Sequence, residues 1–283
     1  MVKLKKTTSK ESNGLSSFVT RTITALVMLP VVIGALWQGY PFVDVLALTV
    51  GVLLSWEWAN MVLNRTSGAY LSAYAISVAV ALLVYDATVV AATILFASLY
   101  VWFKARKEKN RYLLTLGVPY ISVGVGSLIW IYHNIFIYHP YDFYMTLWFF
   151  LMVWSMDIGG YIVGSNLKGP KLAPKISPNK TWSGLIGGIL LAAAVSMLYF
   201  YVLSFAGVVR SEYQFQMFYA CLGGLIAGVS QIGDLIESAI KRHLGLKDSS
   251  NLIPGHGGVF DRVDGLIFVA PFVYLLFAYV LPY

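Results

Sequence analysis

Four aspartates carry the chemical interest of this chain. Asp157, Asp234, Asp261 and Asp264 each interrupt or border a stretch otherwise apolar enough to lie in lipid. Charge is costly at that depth, so its presence points to a task. Asp261 and Asp264 stand three apart on one helix face, and Asp234, Glu237, Ser238 and Lys241 form a second stripe at i, i+3, i+4 and i+7. Clustered carboxylates with few competing nitrogen or sulfur ligands suit a hard divalent cation such as Mg²⁺, which leaves coordination positions for water and substrate phosphate. The plainer account of the same residues is a set of ion pairs, Asp261 or Asp264 with Arg262 or Lys241, holding helices together.

Two loops next to these acids favour phosphate chemistry. The first, Lys168 to Thr181, has three prolines and four lysines, so its charges are held on a stiffened backbone. Lys175 and Lys180 offer point charge to a phosphate, and Asn179 and Thr181 offer directional donors. Thr181 is also placed to cap the next helix, whose amino-terminal end favours an anion. An ordinary basic loop with turns is the alternative. The second loop, Pro254-Gly255-His256-Gly257-Gly258, brings bare backbone to the start of the last apolar segment. His256 there is a phosphate donor, an acid/base group or a turn residue, and its position does not separate these roles.

The elements that must position these side chains follow from composition. Of 283 residues, 58% are hydrophobic and 12% charged, which excludes a water-soluble globule. A hydrocarbon layer about 30 Å thick takes roughly 20 helical residues to cross, and apolar stretches of that order recur along the chain. Runs such as Gly184 to Val202 are apolar on every face, whereas a transmembrane barrel needs short alternating segments. We therefore expect an all-α, polytopic integral membrane protein with about nine transmembrane helices. The expected spans are 18–37, 41–62, 69–85, 87–104, 113–133, 142–164, 182–206, 215–240 and 259–281. The third and fourth are short and separated only by Asp86 and its neighbours, which also allows a bent hairpin there.

Basic residues near helix ends favour the cytoplasm. With a cytoplasmic amino terminus, the lysines of residues 1–10, Arg65, the Lys104 to Arg111 cluster, the lysines of 168–180, and Lys241, Arg242, Lys247 and Arg262 all fall inside. Only Arg210 falls outside. Asp157 and Asp234 then lie roughly 10 Å below the cytoplasmic boundary, too deep for short side chains to reach water freely. Residues 1–16 are expected to be a disordered cytoplasmic terminus, 17–140 a transmembrane scaffold, and 141–283 a catalytic region with cytoplasmic loops 165–181 and 241–258.

Further expectations concern what the chain lacks. The first apolar run continues into Trp37-Gln38-Gly39-Tyr40 without a small-residue cleavage pattern and reads as a retained anchor. Cys221 is the sole cysteine, so no internal disulfide forms, and it is expected to be a packed thiol. The net charge of +7 is spread over loops without a soluble domain, which fits anionic lipid headgroups and not nucleic acid. Glu57, between Trp56 and Trp58, reads as an interfacial carboxylate pairing with Arg65 or with a neighbouring helix.

Ser238 to Asp264 resembles the pattern of the phosphatidate cytidylyltransferase family: S-x-hydrophobic-K-R, four residues, K-D, then P-x-H-G-G-hydrophobic-x-D-R-x-D. The resemblance extends to Lys171 through Pro178 with Lys180-Thr181-Trp182, and to Asp157-Ile158-Gly159-Gly160-Tyr161 with conservative departures. It is specific over about 150–283. It implies transfer of a cytidylyl group from CTP to phosphatidate at a cytoplasm-facing site of the inner membrane, by a homodimer. In that reading Asp234 and Asp261 hold Mg²⁺, and Asp264 and Asp157 complete a second cation site, divalent or monovalent. Lys175, Asn179, Lys180, Thr181, His256, Gly257 and Gly258 face phosphates, and Lys241 and Arg262 assist catalysis.

Two rivals make different demands. A CTP-dependent polyprenol kinase of related architecture would direct attack at the terminal phosphorus of CTP and release CDP, not pyrophosphate. A cation-coupled transporter needs polar groups reaching both faces, whereas the outer half of spans six to nine is almost uniformly apolar.

Overall fold

Where no water can satisfy the backbone, an apolar chain must close its own hydrogen bonds, and helices do so. The computed structural model describes residues 9–65, 68–84, 86–135, 141–209, 212–253 and 257–280. Its helices are α1 Ser9–Gln38, α2 Phe42–Leu63, α3 Gly68–Leu83, α4 Ala87–Lys104, α5 Arg111–Trp130, α6 Tyr141–Leu167, α7 Trp182–Phe205, α8 Tyr213–His243 and α9 Phe260–Leu275. Among the described residues, seven segments are long and apolar enough to cross a membrane: Phe42–Leu63, Ala87–Lys107, Arg111–His133, Asp142–Leu167, Trp182–Phe205, Tyr213–His243 and Phe260–Val280. Leu26–Gln38 and Gly68–Leu83 are apolar but shorter.

Three expectations need correction. Helix α1 begins at Ser9, inside the terminus read as disordered. Cys221 is exposed on α8 rather than packed; a weakly polar thiol loses little on an apolar outer face. Segment 165–181 is not a plain loop. It forms an antiparallel hairpin, β1 Lys171–Ala173 and β2 Ser177–Thr181, pairing Lys171 with Thr181 and Ala173 with Ser177. Both strands of so small a sheet have a free edge, which is why Pro178 is tolerated. The Trp182 N–H donates to the Pro170 carbonyl at 3.0 Å and closes the hairpin base on α7. Arg242 Nε donates to the Ile176 carbonyl at 3.2 Å and ties the tip to α8.

Asp86, between α3 and α4, is a helix cap, accepting from the Thr88 and Val89 amides at 2.8 and 3.2 Å. The Thr88 hydroxyl, with those two amides, holds its carboxyl below the usual carboxylate range.

Two apolar clusters fill the interior. One gathers α2, α3 and α5 around Leu54, Trp58, Tyr74 and Ile121. The other gathers α6, α7 and α8 around Trp148, Met152, Phe200 and Ile226. Helix α9 joins both, through Phe260 and Ile267 on one side and Val269 and Val273 on the other. Lipid gives apolar side chains little reason to leave it, so close packing and interhelical hydrogen bonds must hold the bundle. Trp148 Nε1 of α6 donates to Ser196 Oγ of α7 at 2.8 Å, and that hydroxyl donates to the Tyr219 carbonyl of α8 at 2.7 Å. Each such bond contributes about 0.6–2 kcal/mol. Helices α6 and α7 meet backbone to backbone: a Cβ on Gly184 would stand 2.7 Å from the Gly160 carbonyl oxygen.

Candidate active site

The polar stripe of α8 turns inward because its neighbours carry the complementary groups. Asp234 accepts from Lys180 Nζ at the end of the hairpin, from Gln231 Nε2 at 3.4 Å and from Ser238 Oγ at 3.3 Å. One oxygen from each of Asp234, Glu237 and Asp264 lies within 4.8 Å of the other two. Opposite ligands of a hard cation stand about 4–5 Å apart, twice a metal–oxygen distance of about 2.1–2.5 Å, so this donor set matches one in type and spacing. Glu237 is only 2% exposed. Its Oε2 is 2.6 Å from Lys241 Nζ, yet neither carboxylate oxygen receives a donor in hydrogen-bonding geometry. Glu237 is thus held by charge attraction to Lys241, with oxygens that have room for a further partner.

Asp157 approaches from α6. It borders a cavity of about 200 Å³ together with Asn179, Lys180, Thr181, Gln231 and Asp234, and it lies within electrostatic reach of Asp234, Lys180 and Arg262. Carboxylates of α6, α8 and α9 therefore converge at one level.

Asp261, expected as a metal ligand beside Asp234, has hydrogen-bond partners on both oxygens. Its Oδ1 accepts from Lys241 Nζ at 2.6 Å. Its Oδ2 accepts from the Ser249 amide at 3.0 Å, the Ser249 hydroxyl at 2.9 Å and the Gly258 amide at 2.8 Å. Asp261 is thus bonded to Lys241, Ser249 and Gly258, and the carboxylate oxygen that lies with those of Asp234 and Asp264 comes from Glu237. Lys241 is buried between Glu237 and Asp261 at 2.6 Å from each, as a counter-ion inside the protein.

The phosphate-binding candidates divide. Thr181 caps α7, its Oγ1 accepting from the Gly184 amide at 3.1 Å. It lines the cavity with Asn179 and Lys180. Lys175 sits exposed at the hairpin turn, away from that lining. The Gly258 amide donates to Asp261 Oδ2 at 2.8 Å. Gly257 has φ +82°, and a Cβ there would meet Asp261 Oδ2 at 2.6 Å, so turn geometry accounts for that glycine. Arg262 is exposed at the start of α9. His256 and Arg210 lie outside the described residues.

Sequence reasoning undervalued two carboxylates. Glu237 lies on the α8 stripe three residues from Asp234, and the structure brings its carboxylate oxygen together with those of Asp234 and Asp264. Glu57 of α2 is fully buried and accepts from Ser250 Oγ at 2.5 Å and from the Phe260 and Val259 amides at 2.7 and 2.9 Å. Of the two pairings expected for it, the neighbouring helix holds and Arg65 does not. Arg65 binds Glu108 at 2.5 Å instead.

This convergence of carboxylates and lysine beside a polar cavity lies within a wider sequence pattern, since the model of the cytidylyltransferase family matches residues 19–280. The chain belongs to the cytidylyltransferase family. It is similar to the phosphatidate cytidylyltransferase of Brucella suis biovar 1, 34% identical over 264 residues covering 92% of this chain and 93% of the relative. The Pseudomonas aeruginosa phosphatidate cytidylyltransferase is 35% identical over 273 residues, 91% of this chain and 96% of that one. The Bacillus subtilis enzyme of the same name is 44% identical over 128 residues, 45% of each chain. Family likeness thus reaches well beyond the 150–283 region whose motifs first pointed to it, and it takes in the helices that surround Glu57.

Proposed function

We propose that this protein transfers the cytidylyl group of CTP to phosphatidate, releasing pyrophosphate and leaving CDP-diacylglycerol in the membrane. The observation that carries the reading is the meeting of Asp234, Glu237 and Asp264 with Lys180 at the mouth of α7, inside a chain of this family. The nucleophile is an anionic oxygen of the lipid phosphate. It bonds to the first phosphorus of CTP as the bond to the bridging oxygen of the leaving pyrophosphate breaks. No side chain need become a nucleophile or strong base; alignment and charge neutralisation are what the reaction asks of the protein.

Lys180 and the amino-terminal end of α7 would meet phosphate oxygens, with Asn179 and Arg262 at the edges of the same space. Asp234, Glu237 and Asp264 would hold Mg²⁺, with a second cation, divalent or monovalent, towards Asp157 or Asp261. Bound cations supply charge stabilisation to the attacking and leaving oxygens. Lys241 and Asp261 would shape the floor of the site.

We place the protein in the inner membrane with nine spans and a cytoplasmic amino terminus, residues 17–140 serving as scaffold and 141–283 as the catalytic region. The basic loops support that orientation, and they would lie against anionic lipid headgroups. A shallow site opening to the cytoplasm suits one substrate whose acyl chains stay in lipid and another that is a soluble nucleotide. Homodimer formation belongs to the same family-based reading; nucleic acid has no part in it.

The test uses purified protein, phosphatidate, Mg²⁺ and CTP labelled at the first or the last phosphorus. The first label should enter lipid as pyrophosphate is released. Entry of the last label with release of CDP would overturn the reading in favour of a lipid kinase.

A further inference from the structure

Glu57 is the one fully buried carboxylate among the described residues of the amino-terminal half. An ionised carboxylate at such a position is tolerated only when its oxygens are fully engaged. Here the partners are backbone amides and hydroxyls. The Val259 and Phe260 amides belong to the first turn of α9, where N–H groups have no partner within the helix and the dipole favours negative charge. Ser250 Oγ, at 2.5 Å, fastens the loop before that turn. Next to it, Trp58 packs on Tyr120 and Phe260, with ring centroids 5.6 and 5.5 Å away.

The same loop supplies the donors that orient Asp261. Ser249 Oγ lies 2.9 Å from Asp261 Oδ2 and 3.4 Å from Glu57 Oε2. A hydroxyl has one proton, so the shorter contact is the hydrogen bond and the longer one holds the serine between the two acids. Gly258 completes the junction. A Cβ there would fall 2.0 Å from Ser249 Oγ and 2.5 Å from Glu57 Oε1.

We infer that Glu57 is a positioning residue for the active site: from the scaffold half it fixes the start of α9 together with Ser250 and Gly258, so that Asp264 faces the acids of α8 and Asp261 is held against Lys241. This rests on the reading of those carboxylates given above.

The test is Glu57→Gln in the full-length protein, which keeps the shape but turns an amide NH₂ towards donors, with Glu57→Asp as the conservative variant. Turnover is measured across a Mg²⁺ titration, and hydrogen exchange is followed at the Val259 and Phe260 amides. Glu57→Gln should lower kcat on the order of 10–100-fold, as loss of ligand-orienting partners does, and raise the Mg²⁺ requirement with KM for phosphatidate unchanged. Exchange at the two amides should quicken, and Glu57→Asp should recover part of both effects. A variant that melts earlier but keeps its kcat and Mg²⁺ requirement per folded molecule overturns the inference. Asp264→Ala and Asp261→Ala run in parallel separate the causes. If they stay active, the reading of the carboxylates fails; if they are inactive while Glu57→Gln is normal, only the positioning role fails.

Discussion

In the amino-terminal half Asp44 meets His133 with both carboxylate oxygens at 3.1 Å, Asp86 caps α4, Glu108 binds Arg65, and Glu57 is closed over by the start of α9. In the carboxyl-terminal half Asp157, Asp234, Glu237, Asp261 and Asp264 crowd around Lys180, Lys241 and Arg262, and Glu237 receives no directed donor at all. Among the described residues each acid of the scaffold has its own partner, and Glu57 draws its partners from the other half. The other half leaves carboxylate in excess of cationic side chains, and in a low-dielectric setting that excess favours a bound cation or a proton. Local charge balance therefore separates acids paired one to one from acids clustered around shared lysines.

The comparison is broken most easily by removing one acid from each half. Asp234→Asn keeps shape and polarity, and CTP-dependent product formation should fall on the order of 10²-fold or more, the scale seen when charge stabilisation at a reacting centre is lost. Asp44→Asn should cost about 1–3 kcal/mol of stability through its broken bonds to His133, with turnover per folded molecule unchanged. Equal loss of turnover in both would show that the halves do not divide the labour as described.

How far this was legible in the sequence depends on the range of the interactions. Helix positions and the shared depth of Asp157, Asp234 and Asp264 follow from the cost of charge and open backbone in lipid, which acts residue by residue. The Thr181 cap is equally local. The hairpin escaped notice because its pairing is short and rests on α7 and on Arg242, neither of which shows in the loop's own composition. Glu57 and its α9 partners are some two hundred residues apart along the chain, and no periodicity encodes such a meeting. Glu237 stands three residues from Asp234 as Asp261 does from Asp264, and the contacts that Ser249 and Gly258 make with Asp261 are long-range pairings no helical periodicity encodes.

A second pair of substitutions sharpens the contrast at the level of packing. Gly184→Ala places a methyl group against the Gly160 carbonyl, and overpacking of that kind costs about 1–3 kcal/mol. Because α7 begins directly after Lys180 and Thr181, the displaced helix should also raise the CTP concentration needed for half-maximal rate. Gly34→Ala in α1 meets nothing within 4 Å, and in a helix interior it should be neutral or stabilising by up to about 1 kcal/mol. Thermal unfolding in detergent measures both, and CTP titration should single out Gly184→Ala.

Arg65→Ala should have the smallest effect. Its guanidinium lies 2.5 Å from Glu108, a geometry that by itself would invite a large estimate. The arginine side chain is nevertheless 63% exposed. Water and salt screen such a pair, and ordering a long side chain offsets much of the Coulomb gain, so exposed ion pairs contribute about 0–1 kcal/mol. A double-mutant cycle of Arg65→Ala and Glu108→Ala should give a coupling energy in that range, shrinking further as salt is raised, with turnover unaltered throughout. A turnover loss in Arg65→Ala that survives high salt would mean that a second group of the scaffold, besides Glu57, reaches the reacting centre.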